Sequence, residues 1–244
     1  MSAARHDEQP VWIALNGVRR VVLSCSPHEP AALALGHVLA EGWLRSRADV
    51  HALAVSPDAD ERRHGVSIEI DSDALESAEV VRRHQVLHGC GLRHVLDCDP
   101  HHLQPVEPPE HPIDAVPLLR SLFAASDSEA PDGGVHAAAL SDGTSLISIS
   151  IDVARHCAVD RAIGLALDSR DQLNDLGLVC TARISGAMAL KAVRARLGWI
   201  ASRSIATALA REIAEAYGLL LLERAGRPSV RDTGVTAAAT NHNP

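Results

Sequence analysis

Aromatic residues are scarce in this 244-residue chain, which has three Trp, one Tyr and one Phe. Apolar residues still make up 46% of the sequence, so the core that a chain of this length can bury must be aliphatic. Acidic and basic residues are interspersed, and the net charge of −8 leaves no basic excess to replace phosphate counterions. We therefore expect a globular protein that binds no nucleic acid.

Long apolar runs are also missing. No stretch approaches the roughly 20 apolar residues of a membrane span, and residues 1–10 are too polar for the apolar region of a signal peptide. The cysteines are odd in number and lack the spacing of a disulfide framework. They stand at Cys25, Cys90, Cys98, Cys157 and Cys180. These features predict a cytoplasmic protein with reduced thiols and no membrane contact.

Several catalytic motifs are absent as well. The chain has no P-loop and no Gly-x-Gly-x-x-Gly, so the nucleotide chemistry of those loops is not expected. His136 invites comparison with the zinc site of nucleobase deaminases, which combines His-x-Glu with Pro-Cys-x-x-Cys. Position 138 is alanine, and the chain contains no Cys-x-x-Cys. We therefore expect no metal site.

The first half of the chain predicts a small α+β unit. Strands are expected at 11–16 and 18–23, joined by the hairpin signal Asn16-Gly17, and again at 50–55 and 66–70. Apolar residues at helical spacing predict a helix at 27–44, and a second helix is expected from 71 or 72 to about 84. Prolines at 100, 105, 108, 109, 112 and 117 then predict a linker without regular structure.

After this linker, strands and helices alternate. Strands are expected at 145–151, 176–181, 198–201 and 218–222, and helices at 152–167, 184–197 and 204–217. Such alternation predicts an α/β fold whose mixed, largely parallel sheet is covered by helices. The predicted organisation is a disordered N-terminus (1–10), an N-terminal α+β subdomain (11–99), the Pro-rich linker (100–117), a C-terminal α/β/α core (118–231) and a disordered tail (232–244).

Polar side chains follow each strand of the predicted core at the point where the strand ends. Ligands of α/β sheets bind at the carboxyl ends of the strands, and hydroxyl and guanidinium groups at successive turns favour phosphate or pyrophosphate. The candidates are Asp152, Arg155, His156, Arg183, Ser185, Ser202 and Ser204, with Arg203 in the same turn, and the final run Glu223, Arg224, Ala225, Gly226 and Arg227. Alternatively, Asp152, Ser185 and Ser204 are ordinary helix caps and the arginines are solvated.

Asp152, His156 and Asp160 are spaced four residues apart, which predicts that they share one helix face. Such a face would hold an oriented imidazole at the edge of a pocket. The alternative is a helix cap followed by a polar surface face.

One cysteine lies in a setting that favours reactivity. In Gly89-Cys90-Gly91-Leu92-Arg93-His94, the glycines indicate an accessible loop, and nearby positive charge favours the nucleophilic thiolate. Cys98 is a bystander or a partner thiol. The other cysteines lie in apolar or helical contexts and are expected to be small core residues, namely Cys25, Cys157 and Cys180.

These segments resemble the FdhD/NarQ family, the sulfurtransferases that serve formate dehydrogenases. The Cys90 loop is similar to the family's Cys-Gly-x-Cys-Gly loop, and residues 34–42 (ALGHVLAEG) are similar to its ALGF…EG helix. Residues 134–139 resemble its Gly-x-x-His-Ala-Ala segment, 152–161 (DVARHCAVDR) its DVGRHNAxDK signature, and 181–185 (TARIS) its Ser/Thr-x-Arg-x-Ser element. The similarity runs in order from about residue 11 to 231.

The resemblance implies a cytidine-deaminase-like α/β/α core and a function. In that family the loop cysteine takes sulfur from a cysteine desulfurase as a persulfide. It passes this sulfur to the molybdenum or tungsten bis(molybdopterin guanine dinucleotide) cofactor before the cofactor is inserted into formate dehydrogenase. The resemblance thus implies Cys90 as the sulfur carrier here and Leu222 to Arg227 as the cofactor-binding segment, with His136 as a further contact. Formate dehydrogenase or another molybdoenzyme is the implied recipient, and a homodimer is one option for the oligomeric state.

The chain departs from the family pattern at several positions, which leaves two functions open. Arg93 stands where the second loop cysteine belongs, and His94 replaces a glycine. Further departures are Ile151, Ala154, Ala187 and Arg231. The chain is either a sulfur carrier that uses Cys90 alone, or a divergent paralogue that binds the cofactor as a chaperone without sulfur transfer. We favour the first because Cys90 retains both flanking glycines.

Overall fold

The computed structural model describes residues 7–57, 64–71 and 103–226, which form two mixed sheets and five α-helices. One sheet contains β1 (Gln9–Leu15), β2 (Val18–Cys25), β3 (Val50–Pro57) and β4 (His64–Ile70). The other contains β5 (His136–Ser141), β6 (Leu146–Asp152), β7 (Gly177–Cys180), β8 (Trp199–Ser202) and β9 (Leu220–Leu222). The helices are α1 (Pro30–Ala40), α2 (Ala115–Glu129), α3 (Arg155–Leu167), α4 (Gly186–Arg194) and α5 (Ala208–Tyr217). The predicted helix near 71–84, the Cys90 loop and both predicted disordered ends lie outside the described residues, except for residues 7–10.

The first sheet has the strand order β2-β1-β4-β3. Its predicted hairpin is confirmed: Asn16 and Gly17 have φ values of 47° and 77°, which a two-residue turn of this type requires. The Asn16 amide also pairs with the backbone of Ile70 at 2.9 and 3.0 Å, which fixes the hairpin to β4. Helix α1 is shorter than predicted, because Pro30 begins it and Gly42, with φ 77°, follows its end.

The second sheet has the order β6-β5-β7-β8-β9. Strand β5 pairs antiparallel with β6 and β7, whereas β7, β8 and β9 are parallel. Helix α2 covers one face of this sheet, and α3, α4 and α5 lie on the other. The predicted α/β fold with a mixed sheet is therefore confirmed, and its parallel pairs are confined to β7–β9.

Two elements were not predicted, α2 and β5. Pro117 lies in the first turn of α2, where a proline is tolerated, so the prediction of no regular structure up to residue 117 is wrong. The segment before it is packed rather than free, since Val106 is buried and its N–H donates to the carbonyl of Tyr217 at 2.8 Å. Strand β5 was missed because three of its six residues are alanines, which have low β-propensity.

Helices α1 and α3 join the two sheets through a close crossing at two glycines. A Cβ on Gly36 would overlap the carbonyl oxygen of Asp160, and one on Gly164 would overlap that of Ala32. One hydrophobic cluster contains buried residues of both sheets, including Ile13 and Leu178. The division into subdomains stays a prediction. No helix in the described part of the chain is long and apolar enough to cross a membrane.

Candidate functional site

The start of β5 and the ends of the four other strands meet at one edge of the second sheet. The strand register pairs His136 with Asp152, and Cys180 with both Ala138 and Ser202. Leu222 pairs with Ala201, so β9 also ends there. We call this edge, with the residues that follow each strand, the carboxyl edge. It comprises His136 and residues 152–156, 181–185, 202–204 and 222–226.

The carboxyl edge brings together every predicted binding residue that the structure describes. These are His136, Asp152, Arg155, His156, Arg183, Ser185, Ser202, Ser204, Leu222, Glu223, Arg224, Ala225 and Gly226. Cys90 and Arg227 lie outside the described residues. The prediction that the turns after successive strands are neighbours is confirmed, whereas their binding roles stay predictions.

Each turn of the carboxyl edge carries an exposed arginine. They are Arg155, Arg183, Arg203 and Arg224. The turns after β8 and β9 are also joined by backbone hydrogen bonds, since the N–H of Arg224 donates to the carbonyl of Ser204 at 2.9 Å and that of Ala225 to the carbonyl of Ser202 at 3.1 Å. Guanidinium groups presented from linked turns suit a ligand with several phosphate oxygens.

Asp152 is not the N-cap of α3, and the predicted shared helix face is wrong. Asp152 is the last residue of β6, and the N-cap is Ala154. The Asp152 carboxylate is fully buried, pairs with Arg161 at 2.6 Å and accepts from the N–H groups of Ala154 and Ser26 at 2.7 and 3.2 Å. Burial raises its pKa, although Arg161 acts in the opposite direction. The Asp152 side chain therefore stabilises the turn from within the core and is not exposed to a ligand.

Two histidines flank Arg155 on this edge. Burial lowers the pKa of His136, and the positive charge of Arg155 adds to the effect. Burial also lowers the pKa of His156, with Lys191 and Arg155 contributing. Both imidazoles are therefore neutral at neutral pH. The Nε2 atom of His156 is buried and has no hydrogen-bond partner in the described ranges.

The three serines of the edge have different roles. Ser185 is a helix cap, because its hydroxyl accepts from the N–H of Met188 at the start of α4. Ser202 is buried, donates to the carbonyl of Ala182 at 2.8 Å and accepts from the N–H of Ser204 at 3.0 Å. Ser204 does not cap α5, as the alternative supposed, because Thr207 does. Ser202 thus holds two adjacent turns together.

Besides the buried Asp152, the edge contains one more carboxylate, that of Glu223, and its charge is also matched by an arginine. Its carboxylate accepts two hydrogen bonds from Arg211, at 2.8 and 3.0 Å, and one from the N–H of Ala206 at 2.7 Å. The bonds from Arg211 lower the pKa of Glu223. Because its charge is matched by Arg211, the exposed arginines keep the edge positive.

A buried charge network lies beneath the edge and joins α1, α3 and α4. Lys191 donates to Asp160 at 2.7 and 3.0 Å and to Glu41 at 2.7 Å, while His37 Nδ1 lies 2.8 Å from Asp160. Burial would raise the pKa of Glu41, but Lys191 lowers it to about 2. Burial likewise opposes the charge of Lys191, yet Asp160 and Glu41 raise its pKa. Asp160 is therefore a core residue, and its assignment to a polar surface face is wrong.

The described cysteines are core residues, as predicted. Cys25, Cys157 and Cys180 are buried and free. A hydrogen bond with Cys25 and burial raise the pKa of Cys157, and burial raises that of Cys180 to about 12. Neither Cys157 nor Cys180 is a ready thiolate. No group of His, Cys, Asp and Glu within 7–57, 64–71 and 103–226 could hold a metal ion.

Comparison with known proteins identifies relatives over nearly the whole chain. A sequence profile of the FdhD/NarQ family matches residues 6–231. The chain is 32% identical over 228 residues to the sulfur carrier protein FdhD of Xanthomonas oryzae pv. oryzae (strain MAFF 311018), covering 88% of this chain and 78% of the relative. It is 31% identical to the sulfur carrier protein FdhD of Burkholderia cenocepacia, covering 88% and 81%.

A solved structure shares the fold. The crystal structure of a putative formate dehydrogenase accessory protein from Desulfotalea psychrophila has a TM-score of 0.67, with 22% identity over 89% of this chain and 82% of that one. At that identity the likeness bears on architecture alone. The profile match and the identities of the relatives, in contrast, establish ancestry. The chain therefore belongs to the FdhD/NarQ family.

Proposed function

We propose that this protein is a sulfur carrier that receives sulfur on Cys90 from a cysteine desulfurase. It then passes this sulfur to the molybdenum bis(molybdopterin guanine dinucleotide) cofactor that formate dehydrogenase or another molybdoenzyme uses. Membership of the family and the names of the curated relatives support the sulfur-carrier role. The cofactor is a substrate in this scheme, since it arrives and leaves.

The observation that carries the proposal is the set of exposed arginines on the carboxyl edge. Guanidinium groups from four turns provide many donors for phosphate oxygens without a metal ion. A dinucleotide contains a pyrophosphate whose charge such an edge would match. The hydroxyl of Ser204 supplies a further polar group on the same edge.

The sulfur-accepting step needs only one cysteine. The Cys90 thiolate attacks the outer sulfur of the donor's cysteine persulfide, a new S–S bond forms, and the donor cysteine leaves as a thiolate. The exchange needs no external oxidant or reductant. The described cysteines do not suit this step because they are buried and the pKa values of Cys157 and Cys180 are raised. Nucleophilicity is therefore expected at Cys90, whose neighbours Arg93 and His94 favour the thiolate.

Mass spectrometry tests this step directly. The protein is incubated with a cysteine desulfurase and free cysteine, and its intact mass is measured before and after reduction. We expect one added sulfur atom on wild type and on Cys98→Ala, and none on Cys90→Ala. A wild type that gains no sulfur would contradict the proposal and favour a cofactor chaperone without sulfur transfer.

A second measurement tests the carboxyl edge. Guanosine diphosphate carries the base and the phosphates of one end of the cofactor, so it should raise the melting temperature of the protein. Arg224→Ala should reduce this shift, whereas Arg170→Ala should not, because Arg170 follows the far end of α3 and pairs with Asp175. The same shift in both variants would contradict a role for the turn arginines.

A further inference from the structure

The chain's single phenylalanine lies beside the carboxyl edge and supports one of its arginines. The Cζ atom of Arg203 is 5.4 Å from the centre of the Phe123 ring, within the range of a cation–π contact. Phe123 belongs to α2 and is partly buried, whereas Arg203 is exposed in the turn after β8. A contact of this kind favours guanidinium orientations that turn toward the ring. The Phe123 ring therefore lies against one side of the Arg203 guanidinium group.

The segment Leu222–Gly226 lies next to this pair. Leu222 and Ala225 pack against the same small hydrophobic cluster as Phe123. A Cβ on Gly226 would lie 3.4 Å from the side chain of Val116, so α2 contacts the segment directly. Backbone hydrogen bonds also tie this segment to the turn that contains Arg203. The Arg203–Phe123 pair and the proposed cofactor-binding segment thus form one continuous surface.

We propose that Arg203, backed by Phe123, is the platform on which the nucleotide base of the cofactor stacks. This inference rests on the proposed function, which supplies the nucleotide. Bases stack on guanidinium planes and aromatic rings, and such stacking tolerates any base because every base has a π-face. The platform therefore contributes affinity for the base, while the arginines of the other turns bind the phosphates.

The surroundings of Arg203 distinguish it from an arginine held in an ion pair. Arg211 on α5 is engaged by the Glu223 carboxylate through two hydrogen bonds. Within residues 103–226, in contrast, no carboxylate forms a salt bridge with Arg203. Its donors and its outer face are therefore free to meet a ligand that approaches the turn.

Calorimetric titration of the full chain with two probes separates the affinity for the base from the affinity for the phosphates. Guanosine diphosphate contains a base and two phosphates, whereas inorganic pyrophosphate contains the two phosphates alone. We expect Phe123→Leu to weaken binding of guanosine diphosphate about five- to tenfold, the lower range of one base–aromatic stack, and to leave pyrophosphate binding unchanged. Arg203→Ala should weaken guanosine diphosphate binding at least as much, because it also removes a charge. Arg170→Ala serves as the control.

The outcomes distinguish this inference from the proposed function. If both variants bind guanosine diphosphate as tightly as wild type does, the platform is overturned and the cofactor site remains. If wild type binds pyrophosphate and guanosine diphosphate equally, the base gains no contact and the platform is again overturned. If wild type binds neither probe, the platform and the proposed cofactor site are both contradicted. Arg203 is exposed, so the Arg203→Ala variant should fold. It can therefore be used for the test if Phe123→Leu does not fold.

Discussion

Arg161 and Asp152 form an ion pair 2.6 Å long between two side chains that are both fully buried. The pair crosses from α3 to the end of β6, and Arg161 also donates to the carbonyl of Ser26 at 2.7 Å. The N–H of Ser26 in turn donates to Asp152. The connection between β2 and α1 is thus fixed to the turn that presents Arg155 and His156, so the two sheets meet directly behind the candidate site.

Removal of one partner of this pair should be costly. We expect Asp152→Ala to lower the free energy of unfolding by about 3–5 kcal/mol, because it leaves the Arg161 charge buried without a partner. Urea denaturation followed by circular dichroism measures the loss. The double variant Asp152→Ala/Arg161→Met should recover part of it. A loss below about 1 kcal/mol for the single variant would contradict the structural role assigned to Asp152.

The crossing of α1 and α3 should not tolerate a methyl group. In Gly36→Ala the new Cβ would overlap the carbonyl oxygen of Asp160, so the helices must separate and their packing is lost. We expect a loss of more than about 3 kcal/mol, above the usual range for an overpacked methylene because backbone atoms must move. Gly133→Ala is the control, since Gly133 has a positive φ but open space and should lose about 1–2 kcal/mol. If thermal unfolding shows that Gly133→Ala loses more stability than Gly36→Ala, the close crossing of the helices is contradicted.

The cysteines should differ sharply in reactivity. At about pH 8 iodoacetamide reacts with thiolates, so native protein should not be alkylated at the buried thiols of Cys25, Cys157 and Cys180. Burial raises the pKa of Cys180 to about 12, and a hydrogen bond with Cys25 helps to raise that of Cys157. Peptide mass mapping with and without denaturant measures the protection. Rapid alkylation of Cys157 in the native state would contradict its burial.

The two histidines of the edge should make the protein less stable in mild acid. Burial lowers the pKa of His156 and of His136 in the folded state, so the unfolded chain binds more protons once the pH falls to about 6.5. Their contribution to stability is complete above that pH and decreases as the pH falls toward the lower folded-state values. Unfolding of wild type and of His156→Gln between about pH 8 and pH 5.5 measures the effect. Equal slopes in both proteins would argue against a shifted pKa at His156.

Local sequence signals predicted much of the fold. The Asn16-Gly17 hairpin, the strands of the first sheet and the alternation after residue 145 are all present, because turn chemistry and apolar periodicity act over a few residues. Strand β5 escaped prediction because alanine carries little β-propensity, and its place in the sheet is set by β6 and β7 on either side.

The candidate site was predicted as a set of turns, and its internal contacts were not. The polar side chains that follow each predicted strand indicated the position of the carboxyl edge, since the ends of neighbouring strands lie at the same edge of a sheet. The pairing of Asp152 with Arg161 joins the end of β6 to α3, and the pairing of Asp160 with Lys191 joins α3 to α4. Neither pair has a local sequence signal. The Arg203–Phe123 contact likewise brings together residues that lie 80 positions apart in the chain.

The most direct test of the account follows sulfur from Cys90 to the enzyme. Protein carrying one added sulfur is mixed first with the free molybdenum bis(molybdopterin guanine dinucleotide) cofactor and then with cofactor-free formate dehydrogenase, and formate oxidation and the intact mass of the carrier are measured together. We predict that the carrier loses its sulfur as formate oxidation rises, and that Cys90→Ala activates nothing. Equal activation by wild type and Cys90→Ala would contradict the claim that Cys90 delivers the sulfur.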